Sequence, residues 1–152
     1  MTNKVPLVVI VGGGFGGLAA SKALRRAPVN VLLIDRSNHH VFQPLLYQVA
    51  TSVLAPGQIA SPLRGLLADQ ENTSVMLGNV TGIDPATRHV IVDAGDNKGL
   101  RIAYDYLVLA TGATYSYFGH DEFAQFAPGL KSLADAGRSK RRRLRAVKHP
   151  TY

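Results

Sequence analysis

The chain has 152 residues, 46% of them hydrophobic and 18% charged, which is enough to bury one core and too apolar for a disordered chain. It contains no cysteine, so a disulfide framework, a thiolate metal site and a dithiol redox pair are excluded, and any redox chemistry must come from a bound cofactor. The net charge of +7 is not spread evenly: ten Lys and Arg balance all ten acids up to residue 136, and the seven excess cations fall in the last sixteen residues.

The amino terminus has Lys4, an apolar stretch from Val5 and small residues at Ala19, Ala20 and Ser21, the outline of a secretory signal. Five glycines between positions 12 and 17 would break the apolar helix such a signal needs. No stretch reaches the roughly eighteen apolar residues of a membrane span. Pro6 to Val11 is instead a short, branched apolar block, which predicts a strand buried on both faces and hence parallel. Gly17, Ala20, Ser21 and Leu24 follow at helical spacing on one small-residue face, with Lys22, Arg25 and Arg26 off it or near the carboxyl end, where cations suit the helix dipole. Asn30 and Val31 to Ile34 predict a second buried strand that ends at Asp35, about twenty residues beyond the glycines. The first thirty-five residues therefore form a βαβ unit.

Gly12, Gly14 and Gly17, with Gly13, Phe15 and Gly16 between them, satisfy G-x-G-x-x-G. Gly12 permits a tight turn, Gly14 lets a pyrophosphate approach the backbone, and Gly17 lets the helix lie close to the strand, while N–H groups at the helix start face the anion. Asp35 stands where an acid would accept from a ribose hydroxyl. A glycine turn that only packs is the alternative, disfavoured by the strand before it, the helix after it and the acid at the right distance. A Walker phosphate loop is excluded because no Lys directly follows the second required glycine.

Ser37 to Ser61 alternates polar and aromatic residues without a clear period and is expected to be an ordered functional loop. Helical spacing returns between Gly57 and Leu67 through Ile59, Leu63, Leu66 and Leu67, with Ser61 as cap and Pro62 at the first position. Ser74 to Gly78 predicts a third parallel strand. Val80 to Asp84, Arg88 to Asp93 and Leu100 to Asp105 predict three antiparallel strands, with turns at Asp84-Pro85 and Gly95-Asp96-Asn97. Tyr106 to Ala110 predicts another buried strand, closed by Thr111-Gly112.

His39 and His40 are adjacent, so a regular element points them apart, and with His89 and His120 they lack metal-ligand spacing. They read as ordinary loop histidines, and no metal site is expected. Tyr115, Tyr117 and Phe118 are expected to cover the edge of the sheet rather than to form a stacking surface. There is no Gly-x-Ser-x-Gly elbow and no Cys nucleophile, and no catalytic residue is assigned. The basic end would touch phosphate backbones non-specifically, and no specific nucleic-acid recognition is expected without a base-reading module.

Three blocks together are diagnostic: Val8-Val-Ile-Val-Gly-Gly-Gly-Phe-Gly-Gly-Leu18, Asp35-Arg-Ser-Asn-His-His-Val-Phe-Gln-Pro-Leu-Leu-Tyr-Gln-Val-Ala50, and Tyr106-Leu-Val-Leu-Ala-Thr-Gly-Ala113. They closely resemble type II (non-electrogenic) NADH dehydrogenases, flavoproteins with two dinucleotide domains, over about Lys4 to Ala136. The resemblance implies an α/β fold: a Rossmann-like FAD-binding half with a parallel sheet, plus a three-stranded antiparallel meander inserted before the strand that ends in Ala-Thr-Gly. It also implies that Gly12, Gly13, Gly14, Phe15 and Gly16 meet the pyrophosphate and that Gly17 completes the turn. Asp35 and Arg36 then meet the adenosine ribose, Val80 the adenine, and Thr111 and Gly112 form a loop near the cofactor. Gln43, Tyr47 and Gln48 match the segment near the isoalloxazine and become candidates for lining the flavin and quinone side.

The reaction so implied is hydride transfer from NADH to FAD, then reduction of a membrane quinone, on the cytoplasmic side of a membrane or in the cytoplasm. The missing cysteines agree with this branch of the superfamily. Relative to the family the chain is incomplete: the NADH unit, the quinone pocket and the membrane-binding end are not matched, so it is expected to be inactive alone and to self-associate through exposed apolar surface. Residues 4–136 are expected to form the partial dinucleotide-binding domain. Residues 137–152, which have no apolar stripe and would repel one another, are expected to be disordered or out of frame. Translating the neighbouring DNA in its other frames tests the latter expectation. The rival reading is a non-catalytic dinucleotide-binding module, or one that uses its basic end on nucleic acid or an acidic surface.

Overall fold

The computed structural model describes residues 4–127 and 129–148. Its elements run β1 (Leu7–Val11), α1 (Phe15–Ala23), β2 (Asn30–Asp35), β3 (His39–Val41), α2 (Leu46–Ala50), β4 (Ala60–Pro62), α3 (Leu63–Leu66), β5 (Thr73–Leu77), β6 (Asn79–Asp84), β7 (His89–Ala94), β8 (Asn97–Ala103), β9 (Tyr106–Leu109) and α4 (Leu133–Lys148). Short 3₁₀ turns sit at Gln43–Leu45, Pro56–Gln58 and Asp121–Gln125. The chain divides into two compact units. The first holds the chain up to His40 and Pro62–Gly112, and the second holds Val41–Ser61 and the chain from Ala113. The expected boundary at residue 136 is not where this division falls.

In the first unit, four parallel strands lie in the order β5-β2-β1-β9. Side chains alternate across each strand, so β1 and β2, the two central strands, must be apolar on both faces. Val8, Ile10, Val31 and Leu33 point into one core with Leu18, Ala20 and Leu24 around α1 and Leu63 and Leu67 around α3. Val9, Val11 and Ile34 point into the other, against Val90 and Val92 of β7. The antiparallel meander β6-β7-β8 thus covers one face and the helices the other; the parallel sheet and the three-stranded meander are those expected from the sequence. Each of the fully buried Ile10, Leu33 and Ile34 contributes about 1.5–3 kcal/mol of transfer free energy.

The strand ending in Ala-Thr-Gly was expected to be buried, and it is not. Among the described residues β9 pairs with β1 alone and forms an edge, leaving Tyr106 61% and Leu109 60% exposed. The apolar run was right for a strand and silent about its neighbours.

Polar residues fix α1 internally and to the segment before β5. Within the helix Ser21, fully buried, donates through Oγ to the Gly17 carbonyl at 2.9 Å. Gln70 donates to the Ser21 carbonyl at 2.6 Å, and Asn72 to the carbonyls of Leu24 and Val29, both at 3.0 Å. These amides satisfy carbonyls at and beyond the carboxyl end of the helix, which would otherwise be buried without a donor.

Two expectations for Ser37 to Leu67 are corrected. The segment is not a loop: β3 and β4 pair as a two-stranded sheet, and a 3₁₀ turn leads into α2. The helix expected between Gly57 and Leu67 is only the four residues of α3, because Pro56–Gln58 forms a separate turn and Ala60–Pro62 is extended. Pro62 has φ −57° and ψ 127°, and so stands before the helix rather than in its first turn.

In the second unit, Leu46, Val49 and Ala50 of α2 bury against Ile59, Leu133 and Ala136. The basic end expected to be disordered is helical through Lys148. Ser132 and Asp135 start that helix reciprocally: the Asp135 N–H donates to Ser132 Oγ at 3.2 Å, and the Ser132 N–H donates to Asp135 Oδ2 at 2.9 Å. Such a capping box, with Leu133 and Ala136 as apolar anchor, offsets the repulsion that the charge run alone suggests. Arg138 pairs with Asp135, and Arg142 donates to the Gln125 carbonyl at 3.2 Å. Of the aromatic residues expected to cover a sheet edge, Phe118 is 91% exposed and covers nothing. Residues 149–152 and Pro128 lie outside the described residues.

Candidate functional site

The carboxyl ends of β1, β2 and β9 converge. The Gly12 N–H donates to the Ile34 carbonyl at 2.8 Å, and the Ala110 N–H donates to the Val11 carbonyl at 2.8 Å. From β1 the chain reaches β2 on one side and, much later, β9 on the other, so the glycine turn emerges at the topological switch point of the sheet.

Two glycines there are demanded by the protein's own backbone. Gly12 has φ +104°, and a Cβ on it would collide with the Ala110 carbonyl oxygen; a Cβ on Gly17 would collide with the Gly12 carbonyl oxygen. The turn and the close helix contact expected of these positions are both present. Gly14 is different. It has φ −70° and ψ −164°, an extended conformation open to any residue, and nothing lies within 4 Å of where its Cβ would stand. Neither conformation nor packing requires glycine at 14, which leaves that side of the turn open to a group approaching from outside. Gly14 is the N-cap of α1, with no side-chain cap and no acid in the first helical turn. An open glycine on an uncapped helix start fits a dinucleotide diphosphate, an anion drawn to that end of the helix.

Asp35 closes one side of the turn. Its Oδ2 accepts from the Gly13 N–H at 2.6 Å, and its Oδ1 accepts from the Ser37 N–H and Oγ at 2.6 and 2.7 Å. Gly13 is thus committed to Asp35 through its N–H and is buried. A carboxylate has about four acceptor positions; three are in use, which leaves one on Oδ2. Arg36 is exposed, Val80 is half-buried on β6, and Thr111 and Gly112 are exposed in the loop after β9, where Gly112 has φ +72°.

His40, read from the sequence as an ordinary loop residue, belongs to this cluster. Its Nδ1 lies 3.0 Å from the Gly13 carbonyl oxygen, and its ring meets Phe15 edge-on with centroids 4.9 Å apart. Nothing in the spacing of adjacent histidines signals such a contact, which arises because β3 brings residue 40 back beside the turn. Among the described residues no group of three or more His, Asp or Glu could hold a metal ion.

The remaining candidates belong to the second unit. Gln43 starts the 3₁₀ turn and is exposed; Tyr47, 55% exposed, and Gln48 lie on α2, where Gln48 Nε2 donates to the Tyr47 hydroxyl at 3.0 Å. This unit also holds the described carboxylate with the more buried surroundings. Burial raises the pKa of Asp135, but donation from Ser132 Oγ and the Lys131 and Ser132 N–H groups, with Arg138 beside it, holds the carboxyl below the usual range.

A glycine turn at the switch point of a parallel sheet, backed by a helix start and an acid at the end of the second strand, defines a Rossmann-type dinucleotide-binding architecture. The chain belongs to the pyridine nucleotide-disulphide oxidoreductase family, whose profile matches residues 6–148. It is 54% identical over 129 residues to the type II NADH:quinone oxidoreductase Ndh of Mycobacterium tuberculosis, covering 85% of this chain and 28% of that protein. It is 51% identical over 129 residues to NdhA of the same organism, covering 85% of this chain and 27% of that protein. The chain therefore spans little more than a quarter of the length of these two relatives. A similar fold occurs in the structure of NDH2 from Plasmodium falciparum in complex with NADH, with a TM-score of 0.82, 21% identity, and coverage of 97% of this chain and 31% of that one. The resemblance to type II NADH dehydrogenases drawn from the three sequence blocks is thus matched by overall identity. Among the described residues no helix is long and apolar enough to cross a membrane.

Proposed function

We propose that this chain is the FAD-binding part of an oxidoreductase that takes hydride from NADH and reduces a quinone. The observation that carries the reading is the open, unhindered Gly14 at the uncapped start of α1. On this reading the N–H groups at that helix start bind the diphosphate, and Asp35 offers the free position on Oδ2 to a ribose hydroxyl while Ser37 holds its other oxygen. Arg36 flanks the adenosine, Val80 lies toward the adenine, and Thr111 and Gly112 border the cofactor. Gln43, Tyr47 and Gln48 line the flavin and quinone side. The flavin, when bound, supplies the electron-accepting ring that no side chain of this cysteine-free sequence can replace.

On this reading the chain alone binds flavin without turning over NADH, and it works at the cytoplasmic face of a membrane. The test is a fluorescence titration of the purified chain with FAD, together with its visible spectrum. Quenching of FAD emission at an equimolar endpoint, with no NADH oxidation, is the expected result. A folded, colourless protein that ignores FAD and retards DNA at moderate salt would overturn it in favour of an interaction module based on the cations of α4.

A further inference from the structure

The Gly13 residue is held at both of its polar groups. Asp35 takes its N–H at 2.6 Å, and His40 faces its carbonyl oxygen at 3.0 Å. A carbonyl can only accept, so the His40 Nδ1 must carry the hydrogen, whether the ring is neutral or charged. That fixes the tautomer of the neutral ring and leaves Nε2 as its acceptor.

The Gly13 carbonyl shares a peptide plane with the Gly14 N–H. The described peptide bonds are all trans, and in a trans peptide the C=O and N–H point in opposite directions. Whatever holds the Gly13 oxygen therefore sets the direction of the Gly14 N–H, aiming it away from His40. Gly14 is the residue with open space around it and the N-cap of α1. The T-shaped contact between Phe15 and the His40 ring limits the rotation of that ring and so the freedom of the whole plane.

We propose that His40 is a positioning residue for dinucleotide binding: by donating from Nδ1 to the Gly13 carbonyl it orients the Gly14 N–H toward the diphosphate. The inference rests on the FAD-binding reading for its ligand, but not for its geometry. A glycine-rich turn can flip a peptide plane at little steric cost. Without the imidazole the Gly14 N–H samples other directions, and the ligand must pay to order it.

The test uses the full chain with two substitutions. His40→Asn retains an N–H donor near the position of Nδ1, whereas His40→Phe retains a ring beside Phe15 and removes the donor. Three readouts are taken: the dissociation constant for FAD by fluorescence, the Gly14 amide resonance in the ligand-free protein, and the tautomer of the neutral His40 ring by long-range ¹⁵N–¹H correlation. Expected are an Nδ1–H tautomer, a displaced Gly14 amide in His40→Phe, and FAD affinity about tenfold weaker in His40→Phe but largely retained in His40→Asn, the scale of one oriented hydrogen bond to a charged group. An Nε2–H tautomer, equal affinity in wild type and His40→Phe, or no rescue by His40→Asn overturns the proposal. If wild type binds no FAD, the functional reading fails, and the tautomer and the Gly14 amide still decide the role of His40. Should His40→Phe not fold, the His40→Asn affinity and the wild-type tautomer remain decisive.

Discussion

The parallel-sheet unit and the helical unit bury their cores by different means. In the first, β1 and β2 are apolar on both faces, so Val8 to Val11 and Val31 to Ile34 are nearly all buried and the polar residues are pushed to strand ends and turns. In the second, α2 contributes Leu46, Val49 and Ala50, the partner helix carries a run of cations from Arg138 onward, and order depends on Ser132, Asp135 and a few apolar residues. The first unit is specified by continuous apolar runs, and the second by isolated contacts. The difference predicts where a single substitution is ruinous and where it is merely felt.

The largest effect should come from Gly17→Ala in the sheet unit. The new Cβ would land on the Gly12 carbonyl oxygen, a backbone atom that cannot yield without moving α1 off the sheet, so a loss of about 3 kcal/mol or more is expected. Urea denaturation measures it, and a loss below about 1 kcal/mol would show that the helix shifts cheaply. Gly14→Ala, three positions earlier on the same turn, is the sharper half of the comparison. It should change stability by no more than about 1 kcal/mol, as N-cap exchanges do, yet weaken FAD at least tenfold by filling the space the diphosphate needs. Equal effects of the two changes on stability would erase the distinction between a glycine kept for folding and one kept for a ligand.

What the sequence disclosed follows the same division. The strands β1, β2, β5 and the meander are written in apolar runs and turn residues, and the glycine spacing with Asp35 locates the turn at the switch point of the sheet. What it did not disclose is polar and long-range. His40 lies 27 positions from Gly13 and Gln70 lies 49 from Ser21; no local pattern encodes a side chain that reaches a distant backbone carbonyl. The α4 helix was missed because its charges dominate any average over the segment, while the Ser132 and Asp135 pair that starts it occupies only two positions. The edge position of β9 was hidden for a related reason, since Leu107, Val108 and Leu109 look the same whether or not another strand lies beside them.

A middle-sized effect is expected in the helical unit. Ser132→Ala removes the hydroxyl that both donates to Asp135 Oδ2 at 2.7 Å and accepts from the Asp135 N–H. It should cost about 1 kcal/mol and reduce the helical signal of α4 in circular dichroism, while leaving FAD affinity unchanged. Acid should do the same more gradually. The Asp135 carboxyl is held below its usual pKa despite the opposing effect of burial. Its contribution to stability is therefore complete above the unfolded-state pKa of about 3.9 and is lost as pH falls through the lower folded value. Retention of α4 helicity in Ser132→Ala would mean that Leu133 and Ala136 suffice without the cap.

The smallest effect should be in the meander, where Asp84 organises the turn between β6 and β7. Its Oδ1 accepts from the Thr87 N–H at 3.1 Å, and its Oδ2 accepts from Thr87 Oγ1 at 2.6 Å and from Arg101 Nη2 at 3.0 Å. Hydrogen bonds from Thr87, then from Arg101, lower its pKa to about 2. Because the folded pKa lies below the unfolded one, the stabilisation is present above about pH 4 and disappears as pH falls toward 2. The ordering of the causes separates two explanations. Directed hydrogen bonds resist added salt, whereas attraction to an exposed guanidinium is screened by it. Carboxyl carbon shifts followed by NMR should therefore give a midpoint near 2 that barely moves in high salt, rises most in Thr87→Ala, and rises less in Arg101→Ala. A midpoint that climbs steeply with salt, or that responds more to Arg101 than to Thr87, would make the turn an electrostatic device rather than a hydrogen-bonded one.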